Sequence, residues 1–89
     1  MKTLHLLIKG KVQGVFYRVS ARDKAVELGL KGWVKNTADG NVEALVSGNE
    51  EKVDQFVSWC WEGPSRASVA AVETKETEDE AGEEFKIIR

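Results

Sequence analysis

Two glycines and an arginine stand close together near the N-terminus, in the stretch GKVQGVFYR from Gly10 to Arg18. Glycine lets the backbone take a positive φ or approach a ligand closely, so successive N–H groups in such a loop can converge on an anion. An arginine in the first turn of a following helix can reach back and bind a phosphate through two parallel hydrogen bonds. The same spacing is also typical of a plain strand-to-helix connection with a surface arginine, so both interpretations stand.

A second polar residue, Asn36, ends the segment GWVKN, just before a predicted turn. Asparagine at such a position is usually a turn former. If its strand is a neighbour of the strand before the glycine loop, however, the carboxamide can hold a water beside the anion. In that case Arg18 and Asn36 would form a two-part site, with a phosphate-binding arginine and a water-holding amide.

Several other kinds of chemistry find no support in the sequence. We predict no cluster of metal-ligating side chains, and the loop lacks the G-x-x-x-x-G-K-[ST] pattern of nucleotide-binding loops. His5, the single histidine, is predicted to be a packed or surface residue without an acidic partner. Cys60, the single cysteine, is predicted to lie in the core, and a lone cysteine fits a reducing compartment.

Charge is divided unevenly along the 89 residues, with +4 over residues 1–45 and −6 over residues 46–89, which together give the net charge of −2. The basic first half suits a small anionic ligand, although a solubilising surface would show the same balance. The acidic total argues against a nucleic-acid partner. No apolar run approaches the ~20 residues that span a bilayer. We therefore expect one domain over residues 1–89 that is cytoplasmic and monomeric, with no membrane contact.

The hydrophobic pattern predicts five strands and two helices. The strands cover residues 3–9, 31–36, 42–46, 68–74 and 84–89, and the helices cover residues 17–28 and 50–62. Asn49 is a good candidate to cap the second helix, and Asp39-Gly40 is typical of a tight hairpin turn. The order β-α-β-β-α-β with a short C-terminal strand predicts an α+β, ferredoxin-like split βαβ sandwich, with an antiparallel sheet and both helices on one face.

Hydrophobic residues are assigned to the core by their spacing. In the second helix one stripe is predicted to be buried, and it consists of Val53, Phe56, Val57, Cys60 and Trp61. Trp59 is then predicted to be partly exposed, because two residues two positions apart on a helix cannot both face the core. Trp33 is predicted to be sheet core. The apolar positions of the first helix are Val19, Ala25, Val26 and Leu28.

The segments GKVQGVFYR and GWVKNTADGNV, with Gly48 further on, resemble the two signature segments of the acylphosphatases. The resemblance extends over essentially the whole chain, in length and in the order of elements. It implies hydrolysis of the carboxyl-phosphate bond of small acyl phosphates to a carboxylate and inorganic phosphate. The reaction implied is an in-line attack by water, without a metal or cofactor.

The resemblance also implies a role for each matching residue. Arg18 would bind the phosphoryl group, Asn36 would orient the attacking water, and Thr37 would be a supporting neighbour at most. The implied substrate-binding residues, through their backbone, are Gln13, Gly14, Val15, Phe16, Tyr17 and Arg18. Two departures are visible: Tyr17 stands where a phenylalanine is commoner, and the last residues FKIIR lack the tyrosine with which many relatives finish.

Two other functions are open for a fold of this kind. An RNA-binding module would need aromatic residues on a central strand, but residues 42–46 contain none and include an acid, Glu43. The stronger alternative is a non-catalytic domain of the same fold that binds an acyl or carbamoyl phosphate for regulation. Turnover of acetyl or benzoyl phosphate distinguishes that module from an enzyme.

Overall fold

The computed structural model describes every residue from Met1 to Arg89. In chain order the elements are β1 (Lys2–Lys11), α1 (Tyr17–Glu27), β2 (Lys31–Asn36), β3 (Val42–Gly48), α2 (Glu50–Glu62), β4 (Ser68–Glu76) and β5 (Phe85–Ile88). The strands form one sheet in the order β4-β1-β3-β2-β5, and both helices pack on the same face of it. The predicted fold class is confirmed. Neither helix is long and apolar enough to cross a membrane.

Strand direction differs from the prediction only at β5. The strands β1 to β4 pair antiparallel, whereas β5 lies parallel to β2, with Gly32 opposite Phe85. The reason is the connection after β4: the chain crosses to the far edge of the sheet and starts β5 at the end where β4 finished. β5 must therefore run opposite to β4, which is the direction of β2, and the sheet is mixed.

Alternation in the strands separates a helix-covered face from an open face. In β1, Leu4, Leu6 and Ile8 are buried under the helices. Trp33 was predicted to be sheet core, but it is half-buried on the open face, since the next residue, Val34, takes the buried position under the helices. A shift of one position along a strand moves a side chain to the opposite face.

His5 also lies on the open face, and its predicted lack of an acidic partner is wrong. Its Nε2 lies 2.5 Å from Oε2 of Glu43 on the neighbouring strand β3, and its ring meets Trp33 edge-on at 6.2 Å between centroids. Glu43 is offset by two positions from Leu45, the residue directly opposite His5. Such diagonal pairs on one sheet face are within reach of long side chains.

The capping prediction for α2 is confirmed, since the Asn49 side chain accepts hydrogen bonds from the backbone N–H groups of Glu51 and Lys52. The prediction that Trp61 is buried is wrong, since Trp61 is 51% exposed. Trp59 is partly exposed, as predicted, and it packs against the core. The side of α2 that carries Trp59 faces Tyr17 of α1, with 5.5 Å between the ring centroids, and this contact decides which tryptophan is covered.

The buried face of α1 is narrower than predicted. It consists of Tyr17, Ala21 and Ala25, at the i, i+4, i+8 spacing of a helix face. Val19 and Val26 are 43% and 61% exposed and do not belong to it. Small residues at positions 21 and 25 bring α1 close to the sheet, and this places the start of the helix beside the end of β2.

Candidate functional site

The loop between β1 and α1 is held by two buried side chains, Val12 and Val15, which are 1% and 6% exposed. Gly14 lies between them with a φ of 74°, and a Cβ at that position would meet no atom within 4 Å. The glycine is therefore needed for its backbone conformation and not for space. Phe16 ends the loop with a φ of 63°, and it is the one residue other than glycine with a positive φ. The loop thus has a defined backbone conformation, and its backbone lies at the surface.

The backbone N–H groups from Gln13 to Arg18 donate to no acceptor in the protein. The first helical hydrogen bond of α1 runs from Ser20 N–H to the carbonyl of Phe16, so the donors before it remain free. No acidic residue stands in the first turn and no side chain caps this helix end. Free N–H groups at a helix N-terminus favour an anion, because they add hydrogen bonds to the positive end of the helix dipole.

Arg18 lies in the first turn of α1 and carries a charge that no carboxylate neutralises. Its Nη1 makes a long contact of 3.5 Å with the carbonyl oxygen of Ile88, at the end of β5. By contrast, Arg22, one turn further along the same helix, forms an ion pair with Asp23 at 3.1 Å. The Arg18 guanidinium therefore keeps most of its donors available for a ligand.

Asn36 is the last residue of β2, and its side chain makes no hydrogen bond within the protein. The hairpin that follows it is tightly bonded: Thr37 N–H donates to the carbonyl of Asn41 at 2.9 Å, and Asn41 N–H donates to Thr37 Oγ1 at 3.0 Å. The Thr37 hydroxyl also donates to the Asp39 carboxylate, which holds the pKa of Asp39 below its ordinary value. A fixed hairpin thus presents a free amide.

One cavity of about 260 Å³ brings the two halves of the predicted site together, since Arg18 and Asn36 both line it. Its complete lining is Val12, Gly14, Phe16, Tyr17, Arg18, Val19 and Asn36. A second cavity of about 360 Å³ adjoins it and shares Arg18 and Asn36, and its other lining residues are Lys35, Ile88 and Arg89. No acidic side chain lines either cavity, so this end of the molecule is electropositive.

Two predicted binding residues do not line the first cavity. Val15 is buried in the core, and Gln13 directs its side chain to the hairpin, where Nε2 donates to the carbonyl oxygens of Thr37 and Asn41. Both can act on a ligand only through their backbone N–H groups. No sequence pattern predicts this side-chain role of Gln13, because a glutamine in a loop carries no signal for a contact 24 residues away.

Tyr17 was predicted to bind the substrate through its backbone, and its side chain has a separate structural role. The phenol is buried, and Oη donates to the carbonyl oxygen of Cys60 at 2.6 Å. That carbonyl lies in the last turn of α2, where Pro64, four residues on, has no N–H to offer it. Burial raises the pKa of the Tyr17 hydroxyl well above its ordinary value and that of the Cys60 thiol to about 12.

A family model described as Acylphosphatase matches residues 4–87 of the chain. The chain belongs to the acylphosphatase family. It is 52% identical to an acylphosphatase of Thiobacillus denitrificans over 80 residues, which cover 90% of each chain. Among solved structures it resembles an acylphosphatase from Coxiella burnetii, with a TM-score of 0.94 and 41% identity over 98% of this chain and 92% of that one. An acylphosphatase from Bacillus subtilis aligns over the full length of both chains, with a TM-score of 0.95 and 32% identity.

Membership in the acylphosphatase family confirms the resemblance in the two signature segments. The loop of the first segment and the strand end of the second meet at one cavity, although 17 residues of helix, turn and strand lie between Arg18 and Asn36 in the chain. The acylphosphatase fold therefore supplies the adjacency of Arg18 and Asn36 that the sequence alone left conditional.

Proposed function

We propose that Arg18 and the backbone N–H groups from Gln13 to Arg18 hold the phosphoryl group of a small acyl phosphate, and that Asn36 orients the water that attacks it. The chain is an acylphosphatase, which hydrolyses the carboxyl-phosphate bond and releases a carboxylate and inorganic phosphate. These groups carry out the reaction without a metal ion.

The observation that carries this assignment is the run of free backbone donors beside an unpaired guanidinium. Phosphoryl oxygens need several hydrogen-bond donors and a compensating positive charge, and both lie together here. Because the loop is held by the buried Val12 and Val15, its donors are fixed before the substrate binds. Fixed dipoles stabilise a charged transition state without first having to reorient.

The reaction itself needs little more than this arrangement. The leaving group is a carboxylate, which is stable at neutral pH and departs without strong acid assistance. The transition state of such a transfer is loose, with negative charge spread over the phosphoryl oxygens. Catalysis is then a matter of holding those oxygens and placing water in line with the breaking bond. Arg18 and the loop supply the first requirement, and Asn36 supplies the second.

Asn36 acts by position and not as a base, because a carboxamide does not take a proton at neutral pH. Its oxygen can accept a hydrogen bond from the attacking water and so aim the lone pair of that water at phosphorus. The proton of the water passes to a phosphoryl oxygen of the substrate as the new bond forms. The strand end and hairpin that hold Asn36 limit its movement relative to the loop.

Release of phosphate from acetyl phosphate and benzoyl phosphate, measured with EDTA present, tests this proposal. Turnover of both substrates, unchanged by EDTA, is the expected result. Saturable binding of phosphate without turnover would instead support the regulatory acyl-phosphate-binding module. Turnover that disappears in EDTA and returns with a divalent cation would contradict the metal-free assignment.

A further inference from the structure

We propose that Phe16 and Val19 form the contact surface for the acyl group of the substrate, and that they give the enzyme a preference for acyl phosphates with an aromatic or bulky apolar acyl group. This inference rests on the proposed function, since it needs the phosphoryl group to be held by Arg18 and the loop. It concerns the part of the substrate that the phosphate-binding groups do not contact.

The first observation is the position and exposure of the two side chains. Phe16 is 73% exposed and Val19 is 43% exposed, yet both line the cavity that also contains Arg18 and Asn36. Neither residue belongs to the buried core of the protein. Two apolar groups thus meet solvent beside a site whose other exposed side chains are polar, which is the arrangement expected of a binding surface for an apolar group.

The second observation is the backbone of Phe16. Its φ of 63° and ψ of 25° lie in the left-handed region, which glycine adopts without strain and a residue with a Cβ does not. Its side chain neither caps α1 nor fills the core. Neither the turn nor the packing therefore calls for an aromatic residue here. A strained residue at the rim of a ligand cavity is typical of a functional contact.

The direction of the reaction selects this wall of the cavity for the acyl group. In an in-line displacement the leaving carboxylate departs opposite to the attacking water. If Asn36 holds the water, the acyl group extends away from Asn36. Phe16 and Val19 line the first cavity and not the adjoining one. Lys35 and Arg89 line only the adjoining cavity, which shares Asn36 with the first. The acyl group is therefore directed to the apolar wall and away from the cationic one.

The comparison of benzoyl phosphate with acetyl phosphate measures this contact directly. A contact between two aromatic rings changes affinity by about three- to tenfold. In Phe16→Ala we expect kcat/KM for benzoyl phosphate to fall by about that factor relative to kcat/KM for acetyl phosphate. Comparing the two substrates within each variant removes their different intrinsic reactivity. Val26→Ala is the matched control, because Val26 is an exposed apolar residue of α1 outside the cavity.

A second variant separates the contact from the shape of the loop. Phe16→Gly keeps the left-handed backbone without strain, so it should fold as well as Phe16→Ala or better, as thermal unfolding will show, and it should lose the same preference for benzoyl phosphate. An equal loss with both substrates in the two variants, or no loss with either, would overturn the inference. Failure of the unaltered enzyme to hydrolyse either substrate would overturn the proposed function instead, so the two failures are distinguishable.

Discussion

The side-chain amide of Gln13 donates a hydrogen bond of 2.9 Å to the carbonyl oxygen of Thr37, the residue that follows Asn36. The same nitrogen donates a second bond of 2.7 Å to the carbonyl oxygen of Asn41. Both hydrogens of the amide therefore join the phosphate-binding loop to the hairpin that carries Asn36. This is the one direct side-chain hydrogen-bonded link between the two halves of the site, and it assigns Gln13 a positioning role.

Replacing Gln13 with alanine should lower kcat by about tenfold with a smaller change in KM. The physical reason is that the hairpin, once released, no longer fixes Asn36 relative to the phosphate, and small misplacements of a reacting group are costly. The measurement is steady-state hydrolysis of benzoyl phosphate, with Gln55→Ala, a change at an exposed glutamine of α2, as the control. A purely structural role would instead lower thermal stability while leaving kcat per folded molecule unchanged.

Replacing Tyr17 with phenylalanine should cost about 1 kcal/mol in the free energy of unfolding. The variant removes the hydroxyl that bonds the Cys60 carbonyl, and Pro64 offers that carbonyl no N–H in its place. Urea unfolding measures the change, and kcat should stay close to its original value because the hydroxyl bonds a buried carbonyl of α2 and is not needed by the substrate. Stability equal to that of the unaltered protein would show that the hydrogen bond contributes nothing.

Alkaline pH should destabilise the fold through Cys60. Burial raises the pKa of its thiol from an ordinary value of 9.0 to about 12, so the unfolded chain binds fewer protons than the folded chain between these values. The contribution of the thiol is fully present below about pH 9 and is lost as pH rises toward 12. Urea unfolding at pH 8 and pH 10 should show an added loss of about 1 kcal/mol that Cys60→Ala does not share. Equal losses in the two proteins would refute this account.

Much of the fold follows from the sequence because its signals are local. The alternation in β1, the Asn49 cap and the Asp39-Gly40 turn each depend on neighbouring residues, and such signals give the order of elements. The short β5 also has a local apolar pattern. Its direction, however, depends on which end of the sheet the chain reaches after β4, and no local pattern encodes that.

Side chains that were assigned to the wrong face have a different explanation. Tertiary contacts decide which of two nearby apolar side chains is buried. The sequence pattern allows either Trp59 or Trp61 to lie on the buried face of α2, and the contact with Tyr17 covers Trp59. Trp33 follows the alternation of β2, in which Val34 takes the buried position. In the site, Arg18 and Asn36 could be named from residue type and family resemblance. The bridge from Gln13 to the hairpin could not, because it depends on two carbonyl groups far along the chain.

Replacing Asn36 with alanine should lower kcat by about 10²- to 10³-fold, the usual effect of removing one polar group that acts in the transition state. Substrate binding should change little, because the phosphate contacts lie in the loop and in Arg18. Hydrolysis of benzoyl phosphate gives kcat, and competition by inorganic phosphate gives the binding affinity. Asn41→Ala is unsuitable as a control, since Asn41 belongs to the hairpin, so Asn49→Ala at the distant helix cap serves instead. A loss of phosphate affinity with kcat unchanged would assign Asn36 to binding.

The central claim is that Arg18 binds the phosphoryl group, and Arg22 on the same helix provides a matched control. Arg22 is already paired with Asp23 and lines neither cavity of the site. The decisive measurement is kcat/KM for benzoyl phosphate in Arg18→Gln and Arg22→Gln, with folding of each variant verified by thermal unfolding. We expect a loss on the order of 10³-fold or more in Arg18→Gln, as for arginines that stabilise phosphoryl transfer, and a change within about twofold in Arg22→Gln, as is usual for surface substitutions. Near-normal turnover by a folded Arg18→Gln protein would contradict the account.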